Sequence, residues 1–331
     1  MRQVWITKKG GPEVLQVREA PDPEPKPGEV RVRVKACGVN FAETMARVGL
    51  YRDAPPIPCV VGYETAGVID WPAARAGEKV VAMTHFGGYS DVVCVPEVMA
   101  LPMPTKLSFS EAASIPVVWL TAWHMLVELA NVRKGQTVLI HAAAGGVGTA
   151  AVQICKRIGA ITIGTASGGK HERLKALGLD HAIDYTKVDF EPEVLKLTAG
   201  RGVDVVLDAL AQFKKSFRCL APTGKLMMFG ASSLMPSGSF NVFDVLGGLA
   251  RMPFFHPLKL LPDNKGIFGI NMGNLWGETA LLSRELHEVL RGFEDGSFKP
   301  IVDAEIPFSE AGKAHERLSS RQNFGKVILI P

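Results

Sequence analysis

The chain has 331 residues with 37 basic and 33 acidic side chains, which gives a formal net charge of +4. A chain of this length suggests two domains, or one domain inserted into another, and it has no long basic run of the kind that binds nucleic acid. The five cysteines include no Cys-x-x-Cys pair, so we expect free thiols in a reducing cytoplasm. Gly-Gly-Pro after Lys8 and Lys9 is not typical of a signal peptide, and no uncharged apolar stretch reaches membrane-spanning length.

Two kinds of pattern follow each other along the chain. As far as about residue 115, short strand-like runs are broken by proline and glycine, and Glu29 to Val39 alternate as a half-buried strand does. Strand and helix patterns then alternate, which predicts an α/β fold with a parallel sheet and helices on both faces. The predicted strands are 137–142, 160–165, 203–208, 224–230 and 266–272, and the predicted helices are 147–158, 170–177, 212–220 and 277–294.

A turn with very small side chains joins the first strand of the α/β part to its first helix. Its sequence, Ala143-x-Gly145-Gly146-Val147-Gly148, is a variant of G-x-G-x-x-G with alanine in the first place. Ala143 and Gly145 let the turn tighten and a pyrophosphate approach the backbone, while Gly148 lets the helix pack on the strand. The start of the helix presents free N–H groups and a positive dipole end to phosphates. We therefore predict a dinucleotide-binding site here.

The end of the second strand indicates which dinucleotide binds. An NAD site usually has an acid about 20 residues beyond the glycines, yet no Asp or Glu occurs from Thr149 to His171. Ala166 stands where the acid would fall, and Ser167, Lys170 and Arg173 follow. A missing carboxylate beside cations suits a ribose 2′-phosphate, so we predict NADPH with Ser167 and Lys170 as contacts. For Arg173, a solvated helix position explains the residue equally well.

Four segments together resemble the zinc-free quinone oxidoreductase branch of the medium-chain dehydrogenase/reductase superfamily: HAAAGGVGTAAVQ, GVNFAETMARVGLY, GYETAG and FGKVILIP. Within the branch, GTASGGKHERLKALG and MARVGLY are most similar to the vesicle amine transport protein homologues. The resemblance implies a GroES-like β catalytic domain with an inserted Rossmann domain. We expect the catalytic domain at 1–120, the NADPH-binding domain at 121–272 and the rest of the catalytic domain at 273–331. It also implies a homodimer.

The same resemblance bears on metal. Zinc-dependent relatives place Cys and His where this chain has Asn40 and Tyr63, neither of which is a usual zinc ligand, and Cys37 is three residues too early. We therefore expect no metal. The resemblance further implies that Asn40 and Glu43 line the nicotinamide and substrate cleft, although the family more often has Asp in place of Glu43. An Asn that caps the turn after the strand is an equally good explanation of Asn40.

Other site residues are also carried over from the family. Tyr51 matches a tyrosine proposed as proton donor in related enoyl reductases, but Arg52 follows it where the family usually has Pro, so an aromatic pocket wall is an equally good role. The remaining positions are expected to contact the cofactor, and they are Thr121, Tyr185, Gly230, Phe268, Asn271 and Asn323. Ala211 and Gln212 stand where the family usually has paired glycines.

Without a metal, hydride transfer needs an acceptor that stabilises negative charge itself, as quinones and α,β-unsaturated carbonyl compounds do. We therefore predict an NADPH-dependent reductase of such acceptors. An enoyl-thioester reductase is the first alternative. A lipid-interacting protein that keeps NADPH with little activity is the second, because the apolar segment 232–265 suits a substrate pocket or peripheral lipid contact. Its aromatic residues are Phe240, Phe243, Phe254 and Phe255.

Overall fold

The computed structural model describes residues 1–230, 253 and 255–331, which divide into two compact units. Unit 1 contains Met1–Leu120 and Met272–Pro331, and unit 2 contains the described residues from Thr121 to Asn271. Phe240, Phe243 and Phe254, singled out from the sequence, lie outside the described residues.

Unit 1 is built mainly from antiparallel strands. Its strands are β1 (Arg2–Ile6), β2 (Leu15–Glu19), β3 (Glu29–Val39), β4 (Cys59–Val60), β5 (Glu64–Trp71), β6 (Lys79–Met83), β7 (Val92–Pro96), β8 (Ala100–Pro102), β15 (Val302–Pro307) and β16 (Lys326–Ile330). One sheet has the order β2-β1-β4 and another β15-β16-β3-β5-β6-β8, with β7 paired to β3. The helices are α1 (Phe41–Val48), α2 (Phe109–Ala113), α9 (Thr279–Glu294) and α10 (Ala311–Ser319).

Strand β3 shows why the first part of the chain forms a sheet. Its apolar residues alternate, so that Val30, Val32 and Val34 are buried on one face while Lys35 between the apolar positions is exposed. From Ala36 to Val39 every residue is buried, because both faces of the strand are covered there. The strand pairs with β5, β7 and β16, which brings residues of both chain ends together in one sheet.

Unit 2 contains a parallel six-stranded sheet. Its strands are β9 (Thr137–Ile140), β10 (Ile161–Ala166), β11 (His181–Asp184), β12 (Val203–Asp208), β13 (Leu220–Met228) and β14 (Gly266–Gly269). Its helices are α4 (Gly146–Ile158), α5 (His171–Leu177), α6 (Phe190–Leu197), α7 (Phe213–Arg218) and α8 (Pro257–Leu260). Helix α3 (Pro116–Trp123) begins in unit 1 and continues as a π-helix over His124–Leu129.

The strand order of this sheet is β11-β10-β9-β12-β13-β14. Counted within the unit this is 3-2-1-4-5-6, the order of dinucleotide-binding sheets, in which ligands bind outside the carboxyl ends of the strands where the order reverses. The reversal lies between β9 and β12, next to the glycine turn. The predicted α/β fold is therefore confirmed.

Some predicted bounds were wrong. The strand predicted at 266–272 ends at Gly269 and a 3₁₀-helix occupies Met272–Leu275, while β13 runs from Leu220 to Met228 instead of 224–230. Strand β11 and helix α6 were not predicted. Strand β11 has four residues, of which only Ile183 is fully buried, so its apolar pattern is too short to detect.

Candidate functional site

The glycine turn of unit 2 is tighter than its sequence alone implies. Ala142 has a φ of 51°, a left-handed conformation that costs an L-residue energy, and the N–H of Gly145 donates to the carbonyl of Ala142 at 2.9 Å. The N–H of Ala143 donates to the carbonyl of Thr165 at 3.1 Å, which ties the turn to the next strand. Ala143 is fully buried and packs inside the unit. The residues from Gly145 to Val147 are partly exposed and form the surface of the turn.

Gly148 sits where no side chain fits. A Cβ at this position would lie 2.5 Å from the carbonyl oxygens of both Ala142 and Ala143. Helix α4 therefore begins directly against the turn, with Gly145 as its N-cap residue and no side chain bonded to the cap. The first N–H groups of the helix, from Gly146 and Val147 onwards, consequently face outwards as an anion-binding end. These residues fit a dinucleotide pyrophosphate.

The end of β10 leads into the loop that was expected to hold a 2′-phosphate. Ser167 begins a 3₁₀-helix that includes Lys170, and Ala166 pairs with Asp184 at the end of β11. Asp184 was missed by the sequence analysis. Its side chain lies close to Gly168, because a Cβ on this glycine would be 2.7 Å from Asp184 Oδ2. A hydrogen bond from the Thr186 side chain lowers the pKa of Asp184, which keeps its charge beside this loop.

A buried hydrogen-bond network supports the carboxyl ends of three strands. His141 Nδ1 lies 3.1 Å from Thr165 Oγ1, and its Nε2 lies 3.1 Å from Ser216 Oγ. Ser216 in turn donates to Asp208 Oδ2 at 2.7 Å, while Oδ1 accepts from the N–H of Leu210 at 2.7 Å. Burial lowers the pKa of His141, which favours the neutral imidazole. The network fixes the edge of the sheet at which the glycine turn lies.

The other predicted cofactor residues of unit 2 lie in helix α3, in strand β14 and after strands β11, β13 and β14. Thr121 is buried, and Tyr185 follows β11 with its side chain 40% exposed. Phe268 lies in β14, Asn271 follows that strand, and Gly230 comes shortly after β13. Their contacts with a cofactor stay predictions.

Unit 1 contains a buried polar cluster around Asn40, which is the N-cap residue of α1. Its N–H donates to Glu43 Oε2 at 2.6 Å, as in a capping box. Its amide nitrogen donates to Glu43 Oε1 at 3.3 Å and to Glu64 Oε1 at 3.0 Å. Both amide hydrogens of Asn40 are thus directed at carboxylates.

Lys326, in β16, supplies the positive charge of this cluster and was missed by the sequence analysis. Its Nζ lies 2.5 Å from Glu64 Oε1 and donates to Asn40 Oδ1 at 2.5 Å. Glu64 also accepts from the N–H of Val117 at 2.7 Å. Gly38 makes room for this carboxylate, because a Cβ there would lie 2.4 Å from Glu64 Oε1. The sequence analysis noted the FGK motif that ends in Lys326. No residue near the motif in the sequence indicated which side chains Lys326 would contact.

Glu43 is fully buried and has four donors around it. Besides Asn40, the N–H of Tyr63 donates at 3.2 Å and the hydroxyl of Tyr89 at 2.7 Å. Burial raises the pKa of Glu43 to about 7, against the opposing effect of these hydrogen bonds and of Lys326. The carboxyl group therefore changes its protonation state near neutral pH.

A row of aromatic side chains lies beside the cluster. Tyr51 and Tyr63 meet edge to face at 6.4 Å between ring centres, Tyr63 and Phe86 at 5.1 Å, and His85 stacks on Trp276 at 5.3 Å. Tyr63 packs between the rings of Tyr51 and Phe86, and its burial raises the pKa of its hydroxyl above the usual value. The half-buried Tyr51 stands at one end of the row, in keeping with either of its two predicted roles.

Asn323 is buried near the C-terminal strand. Its side-chain nitrogen donates to the carbonyl of Gly325 at 2.8 Å, which holds the turn before β16. This contact is the turn-forming alternative for an Asn-Phe-Gly sequence, and a cofactor contact of Asn323 stays a prediction.

A parallel sheet in dinucleotide-binding order with its glycine turn, together with a separate β-rich unit, defines a dehydrogenase/reductase of the alcohol dehydrogenase architecture. Residues 26–105 match the family described as alcohol dehydrogenase GroES-like domain, and residues 177–329 match zinc-binding dehydrogenase. The human synaptic vesicle membrane protein VAT-1 homolog is 37% identical over 325 residues, which cover 96% of this chain and 82% of that protein.

Solved structures agree with these matches. The crystal structure of human synaptic vesicle membrane protein VAT-1 homolog-like protein gives a TM-score of 0.87 at 33% identity and covers 100% of this chain and 98% of that one. Escherichia coli quinone oxidoreductase complexed with NADPH gives 0.86 at 29% identity and covers 100% of both chains. The chain therefore belongs to the medium-chain dehydrogenase/reductase superfamily, and its predicted similarity to the VAT-1 homologues is confirmed.

One matched family is described as a zinc-binding dehydrogenase, but the residues at the expected zinc positions have other partners. The Asn40 oxygen is bonded to the Lys326 ammonium, the Tyr63 ring packs among aromatic side chains, and Cys37 donates to the carbonyl of Gly88 at 2.8 Å. Across residues 1–230, 253 and 255–331, no group of three His, Cys, Asp or Glu side chains is arranged to hold a metal. The residues present do not fit a zinc site.

Proposed function

We propose that this protein is a metal-free, NADPH-dependent reductase of quinones or α,β-unsaturated carbonyl compounds. The observation that carries the proposal is the glycine turn, where Gly148 leaves no room for a side chain and the start of α4 faces outwards without a capping group. A relative of the same architecture is described as a quinone oxidoreductase complexed with NADPH. Bound NADPH would supply the hydride, and the chain would bind and orient both reactants.

The units take the roles predicted from the sequence in this proposal. Unit 2 is the NADPH-binding domain, and unit 1 is the catalytic domain in its two stretches. Asn40, Glu43 and Tyr51 are the residues of the catalytic cleft, Tyr51 as a pocket wall or proton donor and Asn40 and Glu43 through the buried cluster that they form. The homodimer and the cytoplasmic location stay predictions. No helix in the described part of the chain is long and apolar enough to cross a membrane.

The choice of NADPH over NADH depends on the loop after β10. Lys170 ends the 3₁₀-helix that follows β10, and no acid stands at Ala166, so we assign the 2′-phosphate contact to the Lys170 ammonium. Lys175 lies on the next helix and pairs with Glu172 at 2.9 Å, facing water. Lys170→Ala should therefore weaken NADPH binding by about 1.5–3 kcal/mol, which is more than tenfold, and NADH binding little. Lys175→Ala is the matched control and should change neither.

The test is a fluorescence titration with NADPH and NADH, followed by NADPH oxidation with a naphthoquinone, an enone and an enoyl-CoA. Turnover of the quinone or the enone is expected. Turnover of the enoyl-CoA alone would favour the enoyl-thioester reductase. Binding of NADPH without turnover of any acceptor would contradict the reductase and leave a nucleotide-binding protein.

One observation favours the second alternative, peripheral lipid contact. Leu258 in α8 and Leu261 just after it are 68% and 70% exposed, which is unusual for leucines so close together. In a co-sedimentation assay with anionic liposomes, Leu258→Asp combined with Leu261→Asp should release the protein if this contact exists. Leu197→Asp, at a leucine that is 42% exposed on another helix, is the control.

A further inference from the structure

The carboxylate of Asp184 connects the end of β11 to the loop assigned to the 2′-phosphate. Its Oδ1 accepts from the N–H of Thr186 at 3.1 Å and from the Thr186 hydroxyl at 2.6 Å, which fixes the side chain beside its own strand. Its Oδ2 faces the loop, because a Cβ on Gly168 would lie 2.7 Å from this oxygen. The Thr186 hydroxyl lowers the pKa of Asp184 most, and the N–H of Gly168 acts in the same direction. One ionised carboxylate thus contacts both the turn after β11 and the loop after β10.

The loop after β10 is a closed turn, so a shift at Gly168 also moves Lys170. The N–H of Lys170 donates to the carbonyl of Ser167 at 3.0 Å, which closes the turn. His171 Nε2 lies 3.0 Å from the carbonyl of Ala166, which ties the next helix to the end of the strand. The two glycines between these bonds are exposed and have no side chain with which to pack against the unit. The contact with Asp184 therefore restrains the flexible part of the turn.

We propose that Asp184 is a positioning residue for the cofactor preference: it holds the turn at Gly168 so that the Lys170 ammonium meets the 2′-phosphate. The proposal rests on the proposed NADPH-dependent function. A charge-assisted contact weakens when its partners are not held close and aligned, so a turn that moves away loses affinity for NADPH. NADH lacks the 2′-phosphate, so its binding does not depend on where Lys170 lies.

The negative charge of Asp184 could act against this role, because a carboxylate near a phosphate repels it. Two features reduce the repulsion. The carboxylate oxygens accept the hydrogen bonds from Thr186, and Lys187 Nζ lies 3.9 Å from Oδ2, where it offsets the charge. Repulsion and positioning predict opposite results when Asp184 is removed, since repulsion alone would make NADPH bind more tightly.

Asp180 is the matched control, because it makes the same kind of contact at the other end of the same strands. It lies just before β11, and its Oδ2 accepts from the N–H and the hydroxyl of Thr162, both at 2.8 Å, near the start of β10. Asp180→Ala and Asp184→Ala each remove a carboxylate that bonds a threonine twice. A merely structural role of Asp184 would therefore give both variants the same pattern of cofactor binding.

Each variant is titrated with NADPH and NADH by fluorescence. We expect Asp184→Ala to raise the dissociation constant for NADPH about tenfold and that for NADH less than about twofold, while Asp180→Ala leaves the ratio of the two constants unchanged. Asp184→Asn, which keeps the shape of the side chain and one acceptor oxygen, should weaken NADPH binding less and serves if the alanine variant does not fold. An unchanged ratio of the two constants in both Asp184 variants, or tighter binding of NADPH, would overturn the proposal.

The same variants show whether Asp184 acts through Lys170. In the Lys170→Ala background, Asp184→Ala should change the NADPH dissociation constant by less than about threefold, because the contact that it positions is already gone. A further tenfold loss in that background would mean that Asp184 does not act through Lys170, and the proposal would be wrong.

A binding test with cofactor fragments separates this proposal from the reductase function. Isothermal titration should show that the wild type prefers 2′,5′-ADP to 5′-AMP and that Asp184→Ala loses most of this preference. If the wild type shows the preference but oxidises NADPH with no acceptor, the reductase proposal fails while the role of Asp184 stands. If the wild type binds both fragments equally, there is no phosphate contact to position, and the role proposed for Asp184 is wrong.

Discussion

The hydroxyl of Tyr89 lies 2.7 Å from Glu43 Oε2, and both side chains are fully buried. The same hydroxyl lies 3.2 Å from His315 Nε2, on a helix 226 residues further along the chain. While Glu43 is ionised, Tyr89 gives it its only hydrogen, so His315 must donate from Nε2. When Glu43 is protonated, its own hydrogen goes to Tyr89, and Tyr89 then donates to His315. The tautomer of His315 is thus coupled to the charge of Glu43.

Replacing Tyr89 breaks this coupling. Tyr89→Phe removes one of the four donors to Glu43 and the partner of His315 Nε2, so we expect the free energy of unfolding to fall by about 1–3 kcal/mol. The pKa of Glu43 should also rise further, because the Tyr89 hydrogen bond lowers it. Urea unfolding measures the first effect, and its pH dependence measures the second.

Tyr63→Phe is the matched control for this variant. The Tyr63 hydroxyl is buried and has no hydrogen-bond partner at bonding geometry among the described residues. Its removal should change the unfolding free energy by less than about 0.5 kcal/mol. An equal loss in Tyr63→Phe and Tyr89→Phe would mean that the Tyr89 hydrogen bonds contribute nothing beyond packing.

The raised pKa of Glu43 predicts that stability falls as pH increases. The folded protein holds the proton of Glu43 up to about pH 7, whereas the unfolded chain releases it near its ordinary value of 4.5. The contribution is therefore complete below pH 4.5 and lost as pH rises through about 7, up to about 3 kcal/mol in total. Glu43→Gln should be less stable than the wild type at pH 5, and the difference should shrink towards pH 8. A difference that stays constant over this range would contradict the raised pKa.

His315 predicts the opposite slope on the acid side. Burial, with the nearby charge of Arg47, lowers the pKa of His315 from 6.5 to about 3. Its neutral form contributes stability that is fully present above pH 6.5 and is lost as pH falls towards 3, up to about 5 kcal/mol. His315→Gln should flatten this acid loss in urea unfolding curves, while His181→Gln, at an exposed histidine, should leave it unchanged. Between pH 4.5 and 6.5 the slopes of Glu43 and His315 oppose each other, so only the single variants reveal either one.

The nucleotide-binding part of the fold could be predicted from the sequence because its signals are local. The turn from Ala143 to Gly148 and the strand and helix on either side of it occupy about 20 consecutive residues, in which hydrophobic period and glycine spacing act together. Ala211 shows the limit of this reasoning. It replaces a glycine of the family, yet its φ of 57° keeps the left-handed conformation that glycine favours.

The buried cluster could not be predicted in this way. Asn40 and Lys326 are 286 residues apart, and Tyr89 and His315 are 226 apart. Each residue alone matches an ordinary role, such as a helix cap, a strand lysine or a helix histidine. Only the pairing of β3 with β16, and the packing of α10 near α1, places them together. The resemblance to the family selected Asn40 and Glu43, but it gave no reason to select Lys326, Tyr89 or His315.

Gly148 offers the sharpest test of the nucleotide site. Gly148→Ala places a Cβ 2.5 Å from two backbone carbonyl oxygens, so either the turn or the start of α4 must shift, and neither oxygen belongs to a flexible side chain. We expect the dissociation constant for NADPH to rise more than tenfold, because the amides that face the pyrophosphate move with the helix. Gly266→Ala, at the opposite end of a strand in the same sheet, puts its Cβ no closer than 3.6 Å to other atoms and is the matched control. Isothermal titration with NADPH measures both variants, and circular dichroism confirms that both are folded. A folded Gly148→Ala that binds NADPH as tightly as Gly266→Ala would show that the cofactor does not bind at this turn.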